Sequence, residues 1–264
     1  MQAQQLPMTR GWVWLREGLQ LWRRNPALIT FATFGYLLSV IVISLVPLLG
    51  QLAASLLMPA LSVGVLNACH AVASARKVGP DVLFSGFKSN LQALVVVGGL
   101  YLAATLVVLL LVTLIDDGGL ATLMRGEDAD PQAATDTSIG LTLLFGVVLS
   151  TPVMMAYWFA PALASWWKIP APKAMFFSFY ACLRNWRPFV AYALALALFG
   201  VALPGVVVGV LGLLSPTLGN LAALPIPLII LPIVFASFYT ATCDVFGHPD
   251  RNAERPIDAA RDGD

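Results

Sequence analysis

Few side chains in this 264-residue sequence combine reactive chemistry with surroundings that would alter it. The clearest group is Asn67, Cys69 and His70. They lie near the end of a long uncharged apolar run, where an imidazole would be a titratable group in a medium of low dielectric constant. The alternative is that His70 hydrogen-bonds a backbone carbonyl or meets water at the end of that run. Asn67 and His70 are therefore candidate polar residues of a cavity, and a purely structural role stays open.

Patterns for metals, cofactors and catalysis are weaker. Asp244 and His248 are four residues apart, but Gly247 and Pro249 predict that the helix has already ended there. The acidic stretch 127–130 lacks the alternating ligands and the glycine of an EF-hand. No apolar run pairs a nucleophile with a base. The sequence therefore predicts no catalytic, metal or cofactor site and no enzymatic activity.

Charge is missing where a soluble protein would carry it. Hydrophobic residues make up 59% of the chain, charged residues 11%, and the mean hydropathy is +0.82. No Asp, Glu, Lys or Arg occurs from Asn25 to Ala75 or from Pro188 to Cys243. A helix of about 20 apolar residues crosses the roughly 30 Å of a bilayer core, so each run is long enough for two crossings.

The pattern as a whole predicts an all-α polytopic transmembrane helix bundle of six spans with short amphipathic helices on the cytoplasmic side. A cytoplasmic amphipathic segment, 1–26, precedes the membrane domain 27–244, and a disordered cytoplasmic tail, 245–264, follows it. An acidic outside loop is expected at 116–138. The predicted spans are about 27–46, 51–75, 91–115, 139–167, 189–214 and 218–243.

The distribution of cations predicts the orientation. Fourteen of the 15 Lys and Arg residues fall on one side of the six spans, and only Arg125 falls on the other. Cytoplasmic loops of membrane proteins are enriched in Lys and Arg, so both termini are expected in the cytoplasm of a bacterium with the spans in its inner membrane. The net charge of +1 gives no reason to expect a nucleic-acid partner. The odd number of cysteines favours reduced thiols over a disulfide framework.

Three segments on the basic side have aromatic and cationic residues at helical spacing. They are 9–24, a short stretch from Pro80, and 173–187, and each precedes a span. The first has Trp12, Trp14 and Trp22 on its apolar face, which favours a helix lying at the membrane surface over one packed on the protein. Anionic lipid headgroups of the inner leaflet are the predicted partners of these segments, and protein partners are unknown. The predicted headgroup contacts are Arg23, Arg24, Arg184 and Arg187.

Prolines and small residues interrupt the spans. A proline removes a backbone hydrogen bond, which either kinks the helix or exposes carbonyls to a cavity. Small residues recur every four positions, at Ala60, Gly64 and Ala68 and at Gly205 and Gly209, a spacing that lets helix backbones approach. Contact within one molecule is favoured over dimerisation. The prolines within spans are Pro59, Pro152, Pro161, Pro204, Pro225, Pro227 and Pro232.

Several short stretches resemble an uncharacterised family of bacterial multi-pass inner-membrane proteins. They are Gly11-Trp12 with 21–26 (LWRRNP), 59–64 (PALSVG), 75–79 (ARKVG) and 81–87 (DVLFSGF). The arrangement is similar, more loosely, to the membrane domains of some bacterial glycerophosphodiester phosphodiesterases, whose soluble catalytic domain has no counterpart here. The resemblance implies a six-span helical membrane protein and no assigned activity.

Two functions follow as hypotheses. The first is a non-enzymatic inner-membrane protein with a role in envelope organisation or lipid-proximal assembly, using its basic and aromatic cytoplasmic face. The second is a permease for a small neutral or amphiphilic solute, with a cavity lined by Asn67, His70 and carbonyls near Pro59, Pro152 or Pro225.

Overall fold

The described chain is built from helices. The computed structural model describes residues 3–114 and 137–249, and these residues form helices and no strand. The predicted all-α, multi-span fold class is confirmed. Residues 115–136, which hold most of the expected acidic loop, and residues 250–264 of the expected tail lie outside the described residues.

Eleven α-helices, one 3-10 helix and one π-helical segment follow one another in the described ranges. They are α1 (Arg10–Arg24), α2 (Pro26–Ser44), α3 (Leu49–Ala73), the 3-10 helix (Pro80–Lys88), α4 (Leu91–Thr113), α5 (Thr137–Trp158), α6 (Ala160–Trp166), α7 (Ala171–Arg184), α8 (Trp186–Leu196), the π-helical segment (Ala197–Ala202), α9 (Leu203–Leu214), α10 (Pro216–Ala223) and α11 (Pro225–Phe246).

Six stretches of the described chain are long and apolar enough to cross a bilayer. We number them spans 1 to 6: Pro26–Ser44, Leu49–Ala73, Leu91–Thr113, Gly140–Trp166, Trp186–Leu214 and Pro216–Phe246. Span 1 begins with Pro26 at a first-turn position, where the missing N–H costs nothing, and the Asn25 side chain accepts a hydrogen bond from the Leu28 N–H at 3.1 Å. Span 2 ends when Ala75 adopts a positive φ of 52° and the Arg76 N–H donates to the Ala71 carbonyl at 2.8 Å.

Helix α1 packs one face on the protein, which favours the alternative to the predicted membrane-surface helix. Trp14 is fully buried, with its ring centroid 5.6 Å from that of Phe189 and 6.0 Å from that of Tyr192 on α8. Gly18 lies against the α11 backbone, where a Cβ would come within 2.6 Å of the Ser237 nitrogen. Spans 5 and 6 bury the Trp14 indole, because glycines on α1 let the backbones approach closely, whereas Trp12 stays 46% exposed.

The other two amphipathic segments differ from each other. The second is a 3-10 helix pressed onto α3, since a Cβ on Gly64 would lie 1.8 Å from the Leu83 carbonyl oxygen. The third, α7, buries a small-residue face and exposes an aromatic one. Ala174, Ser178 and Ala181 form the buried face, and Phe176, Tyr180 and Leu183 the exposed one. This exposed apolar face is suited to the interface of a bilayer.

The predicted small residues of span 2 contact neighbouring elements, whereas those of span 5 do not. Ala60 and Ala68 are fully buried and Gly64 contacts the 3-10 helix, so the predicted contact within the molecule is confirmed for span 2. The prediction is wrong for Gly205 and Gly209, since a Cβ at either would meet nothing within 4 Å. Helices α9 and α10 instead approach each other at Gly212 and Gly219, close to the turn that joins them. Gly205 and Gly209 lie away from this contact.

The close approach at Gly18 gives a stability test with a matched control. We expect Gly18→Ala to lower the free energy of unfolding by about 1–3 kcal/mol, because the added methyl group overlaps α11 backbone. Gly209→Ala adds the same group where nothing lies within 4 Å, so it should raise that free energy by roughly 0.5–1 kcal/mol through helix propensity. Unfolding of the detergent-solubilised protein measures both, and two substitutions with the same sign would contradict the packing described here.

Candidate functional site

All six spans contribute walls to one open cavity of about 300 Å³, which we call the central cavity. Most of its lining residues lie close to the middle of their spans, as Tyr36 does in Pro26–Ser44 and Tyr101 in Leu91–Thr113. No charged side chain is among the described residues that line it. The lining residues are Tyr36, Met58, Ser62, Tyr101, Met154, Tyr157, Trp158, Pro161, Tyr192, Val234, Phe235 and Phe238.

Prolines in the even-numbered spans lie at the level of the central cavity. Pro59 follows the lining residue Met58, Pro161 lines the cavity itself, and Pro232 comes two residues before Val234. A proline within a helix cannot donate to the carbonyl four residues earlier and bends the helix away from it. Span 4 is divided by this effect, since α5 ends at Trp158 and α6 begins at Ala160. Kinks at such prolines favour space between helices at this level.

Aromatic rings make the walls of the central cavity rigid. The ring centroids of Tyr101 and Tyr157 are 4.4 Å apart, and those of Tyr36 and Phe235 are 5.4 Å apart. The Tyr192 hydroxyl is fixed by a hydrogen bond of 2.5 Å with the Ser237 hydroxyl. Paired rings lose little conformational entropy when an apolar molecule packs on them, so the cavity is prepared for such a molecule.

Asn67 and His70 lie outside the lining of the central cavity, in a hydrogen-bonded cluster that joins several helices. The Trp166 Nε1–H donates to Asn67 Oδ1 at 2.8 Å, and Asn67 Nδ2 donates to the Ser85 hydroxyl at 2.7 Å. His70 Nδ1 lies 3.1 Å from the Tyr239 hydroxyl. These bonds tie α3 to the 3-10 helix, α6 and α11. The geometry favours the structural alternative for both predicted residues.

Asp244 accepts hydrogen bonds from helix α1. Its Oδ2 accepts from Arg10 Nε at 2.6 Å and from Trp14 Nε1 at 2.8 Å, and the Arg10 guanidinium also lies 3.4 Å from Glu17. The α-helix ends at Phe246, and Gly247 has a φ of 89°, as its sequence position predicted. Sequence reasoning missed this ion pair. One signal was present, because Asp244 is the only carboxylate within the six spans.

A second cavity of about 420 Å³ lies where the end of α1 meets the end of α3, and we call it the basic groove. Arg24, Arg76 and Lys77 are exposed and line it, and no carboxylate is among the described residues of its lining. The carbonyls of Ala71 and Val72 near the end of α3 already accept the N–H groups of Arg76 and Ala75. Arginine and lysine side chains in such a groove can bind an anionic group.

The four predicted headgroup arginines fall into two separate places. Arg184 and Arg187 are exposed beside the start of α1, where the buried Asn185 side chain accepts from the Leu6 N–H at 2.9 Å. Arg23 and Arg24 end α1, whose 15 residues span about 22 Å at roughly 1.5 Å per residue. Arg76 and Lys77 line the groove together with Arg24. They were not among the predicted headgroup contacts, because they follow α3 in sequence.

The fold and these two sites define a polytopic helical membrane protein. Comparison with known proteins agrees with this class: the chain is 34% identical over 266 residues to a Burkholderia thailandensis protein described as a probable inner membrane protein, and the alignment covers 97% of each chain. The chain belongs to the same family of multi-pass inner-membrane proteins, as the resemblance in its sequence predicted. No family model matches the chain, and no solved structure matches it.

The contribution of Asp244 can be measured against a matched carboxylate. We expect Asp244→Asn to lower the free energy of unfolding by about 1.5–3 kcal/mol, because hydrogen bonds from Arg10 and Trp14 lose their charged acceptor. Glu17 is more exposed and lies farther from Arg10, so Glu17→Gln should change it by less than about 0.5 kcal/mol. Chemical unfolding in detergent compares them, and equal effects would mean that Asp244 does not hold α1.

Proposed function

We propose that this protein is a non-enzymatic inner-membrane protein that binds anionic lipid headgroups at its cytoplasmic face and acts in envelope organisation or lipid-proximal assembly. The observation that carries the proposal is the basic groove, because it concentrates Arg24, Arg76 and Lys77 at the end of span 2. The inner leaflet is rich in anionic lipid, and each nearby cation contributes roughly 1 kcal/mol of attraction.

The surroundings of the groove support a membrane-facing role. Arg23 is exposed beside Arg24, and Lys88 ends the 3-10 helix on the same side of the spans. A lipid phosphate carries its negative charge on several acceptor oxygens. Arginine and lysine side chains can donate hydrogen bonds to these oxygens together. The groove therefore fits a phosphate group better than a carboxylate-bearing protein loop, whose charge is more widely spaced.

Arg184 and Arg187 form a second, flatter contact in this proposal. Arg187 lies 5.5 Å from the centroid of the Trp186 ring, and the exposed aromatic face of α7 is adjacent in sequence. Indole and guanidinium groups are typical of the headgroup region of a bilayer. This pair would attract the leaflet as a whole, whereas the groove would hold a single headgroup.

The permease hypothesis has less support. Its predicted cavity residues, Asn67 and His70, are hydrogen-bonded between helices, and the central cavity carries neither of them. A polar solute needs hydrogen-bonding partners along its path, and the described lining of the cavity is mostly aromatic and aliphatic.

Removing charge from the groove tests the headgroup proposal. We expect Arg24→Gln with Lys77→Gln to weaken binding of phosphatidylglycerol by about tenfold or more, because two cations near the surface contribute roughly 1 kcal/mol each. The measurement is titration of the detergent-solubilised protein with short-chain phosphatidylglycerol, followed by native mass spectrometry.

The matched control removes two charges elsewhere on the same face. Arg184→Gln with Arg187→Gln should weaken the same binding by less than about threefold, since those side chains line no groove and the detergent sample holds no leaflet for them to attract. The proposal fails if the groove variant binds phosphatidylglycerol as the unmodified protein does. It also fails if binding of zwitterionic phosphatidylcholine falls equally.

Orientation is tested by single added cysteines. We propose that Lys77→Cys is labelled by an impermeant maleimide only in inside-out vesicles, and Thr217→Cys, at the start of α10 where span 6 begins, only in right-side-out ones. Both positions are exposed. The native cysteines give little background, since all three are buried and burial raises the pKa of the Cys182 thiol to about 12. Labelling of Lys77→Cys from the outside would overturn the cytoplasmic assignment.

A further inference from the structure

We propose that the central cavity is a binding site for a single acyl chain of a membrane phospholipid. The site is separate from the basic groove, because the two share no lining residue, and it goes beyond the proposed headgroup function. The proposal rests on the position, composition, size and open side of the cavity.

Position defines what surrounds the cavity. Tyr36, Ser62 and Tyr101 lie near the middle of spans 1, 2 and 3, so the cavity is at the depth of lipid tails and away from the headgroups. At that depth the hydrocarbon of the bilayer is the most abundant molecule that can enter.

Composition excludes charged and strongly polar occupants. Among the described lining residues there is no Asp, Glu, Lys, Arg or His, so neither an ion nor a headgroup would find a partner there. The polar groups are hydroxyls and the Trp158 indole N–H, which is buried without a partner. Ser62 donates to the Pro59 carbonyl at 2.8 Å, and Tyr192 is bonded to Ser237. Aromatic faces such as those of Tyr157 and Phe235 pack well on methylene groups.

Size and access favour one chain over a whole lipid. The volume of about 300 Å³ is at the lower end of the roughly 300–1,000 Å³ of small-molecule sites, too small for a lipid with two tails and a headgroup. The cavity is open. Beyond it, helices α9 and α10 of spans 5 and 6 pack mainly on each other. Leu213 at the end of α9 is 89% exposed. A tail can therefore enter while its headgroup stays at the membrane surface.

Photolabelling with a lipid of neutral headgroup tests the site without involving the groove. The probe is phosphatidylcholine with a diazirine in one acyl chain, supplied to the protein in phosphatidylcholine nanodiscs. We expect peptides containing Tyr157 and Phe235 to be labelled more than the peptide containing Leu213, although Leu213 is far more exposed. Labelling in proportion to exposure alone would overturn the proposal.

Filling the cavity provides the matched variants. Ser62→Phe places a ring in the cavity and should lower labelling of Tyr157 and Phe235 by roughly tenfold, whereas Ser62→Ala should leave it unchanged. Met154→Trp fills the site from a half-exposed position, and thermal unfolding identifies which variants remain folded. Unchanged labelling in the folded filling variants would contradict the assignment.

The groove variant separates this proposal from the preceding one. Arg24→Gln with Lys77→Gln should leave labelling at Tyr157 and Phe235 unchanged, because neither cation lines the cavity. Labelling that falls in this variant as much as in Ser62→Phe would show that the cavity does not hold a chain independently. If the groove variant loses phosphatidylglycerol binding and keeps its labelling, both sites are supported. If Ser62→Phe keeps phosphatidylglycerol binding and loses its labelling, the cavity alone is supported.

Discussion

The carboxylate of Asp244 is the one acidic group within the six described spans, and its pairing organises the end of the bundle where α1 lies. An uncompensated carboxylate at the end of span 6 would be costly, because Asp244 is partly buried and loses part of its hydration. Arg10 and Trp14 of α1 both donate to Asp244 Oδ2, and the Thr240 hydroxyl donates to the Trp14 carbonyl at 3.3 Å. Helix α1 is thereby fixed across spans 5 and 6, with Trp14 completing the core.

Close backbone approach supports the same contact of α1 and also holds the 3-10 helix on span 2. Where Gly11, Gly18 and Gly64 lie, a side chain would overlap the backbone of the neighbouring segment. Between apolar helices in lipid the hydrophobic effect gives little attraction, so packing and hydrogen bonds such as that from Trp166 to Asn67 hold the bundle. The same close packing is absent at the central cavity, where prolines interrupt the backbone hydrogen bonding of spans 2, 4 and 6 and large aromatic rings line the space.

The two proposed lipid contacts, in the groove and in the cavity, lie at two depths. Arg24 and Lys77 are exposed at the end of the spans, where a phosphate group lies, and Tyr36 and Tyr101 are near mid-span, where a tail lies. Both contacts are compatible with a protein whose work is carried out next to lipid, and neither requires chemistry on the lipid.

The sequence alone determined the membrane class, the number of spans and the side on which cations gather. These properties depend on local sequence alone. An uncharged apolar run is removed from water wherever it lies in the fold, and a cation such as Lys77 or Arg184 is assigned to one side of the spans by its position between two runs. Only tertiary structure decided the location of α1, the role of Asp244, the separation of the four arginines and the open space at Gly205. An amphipathic pattern such as that around Trp14 indicates that a face is buried but not what buries it, because lipid headgroups and protein helices both cover apolar surface. Contacts between residues more than 200 positions apart, as between Arg10 and Asp244, depend on how the helices pack, and that packing is not encoded in any local pattern.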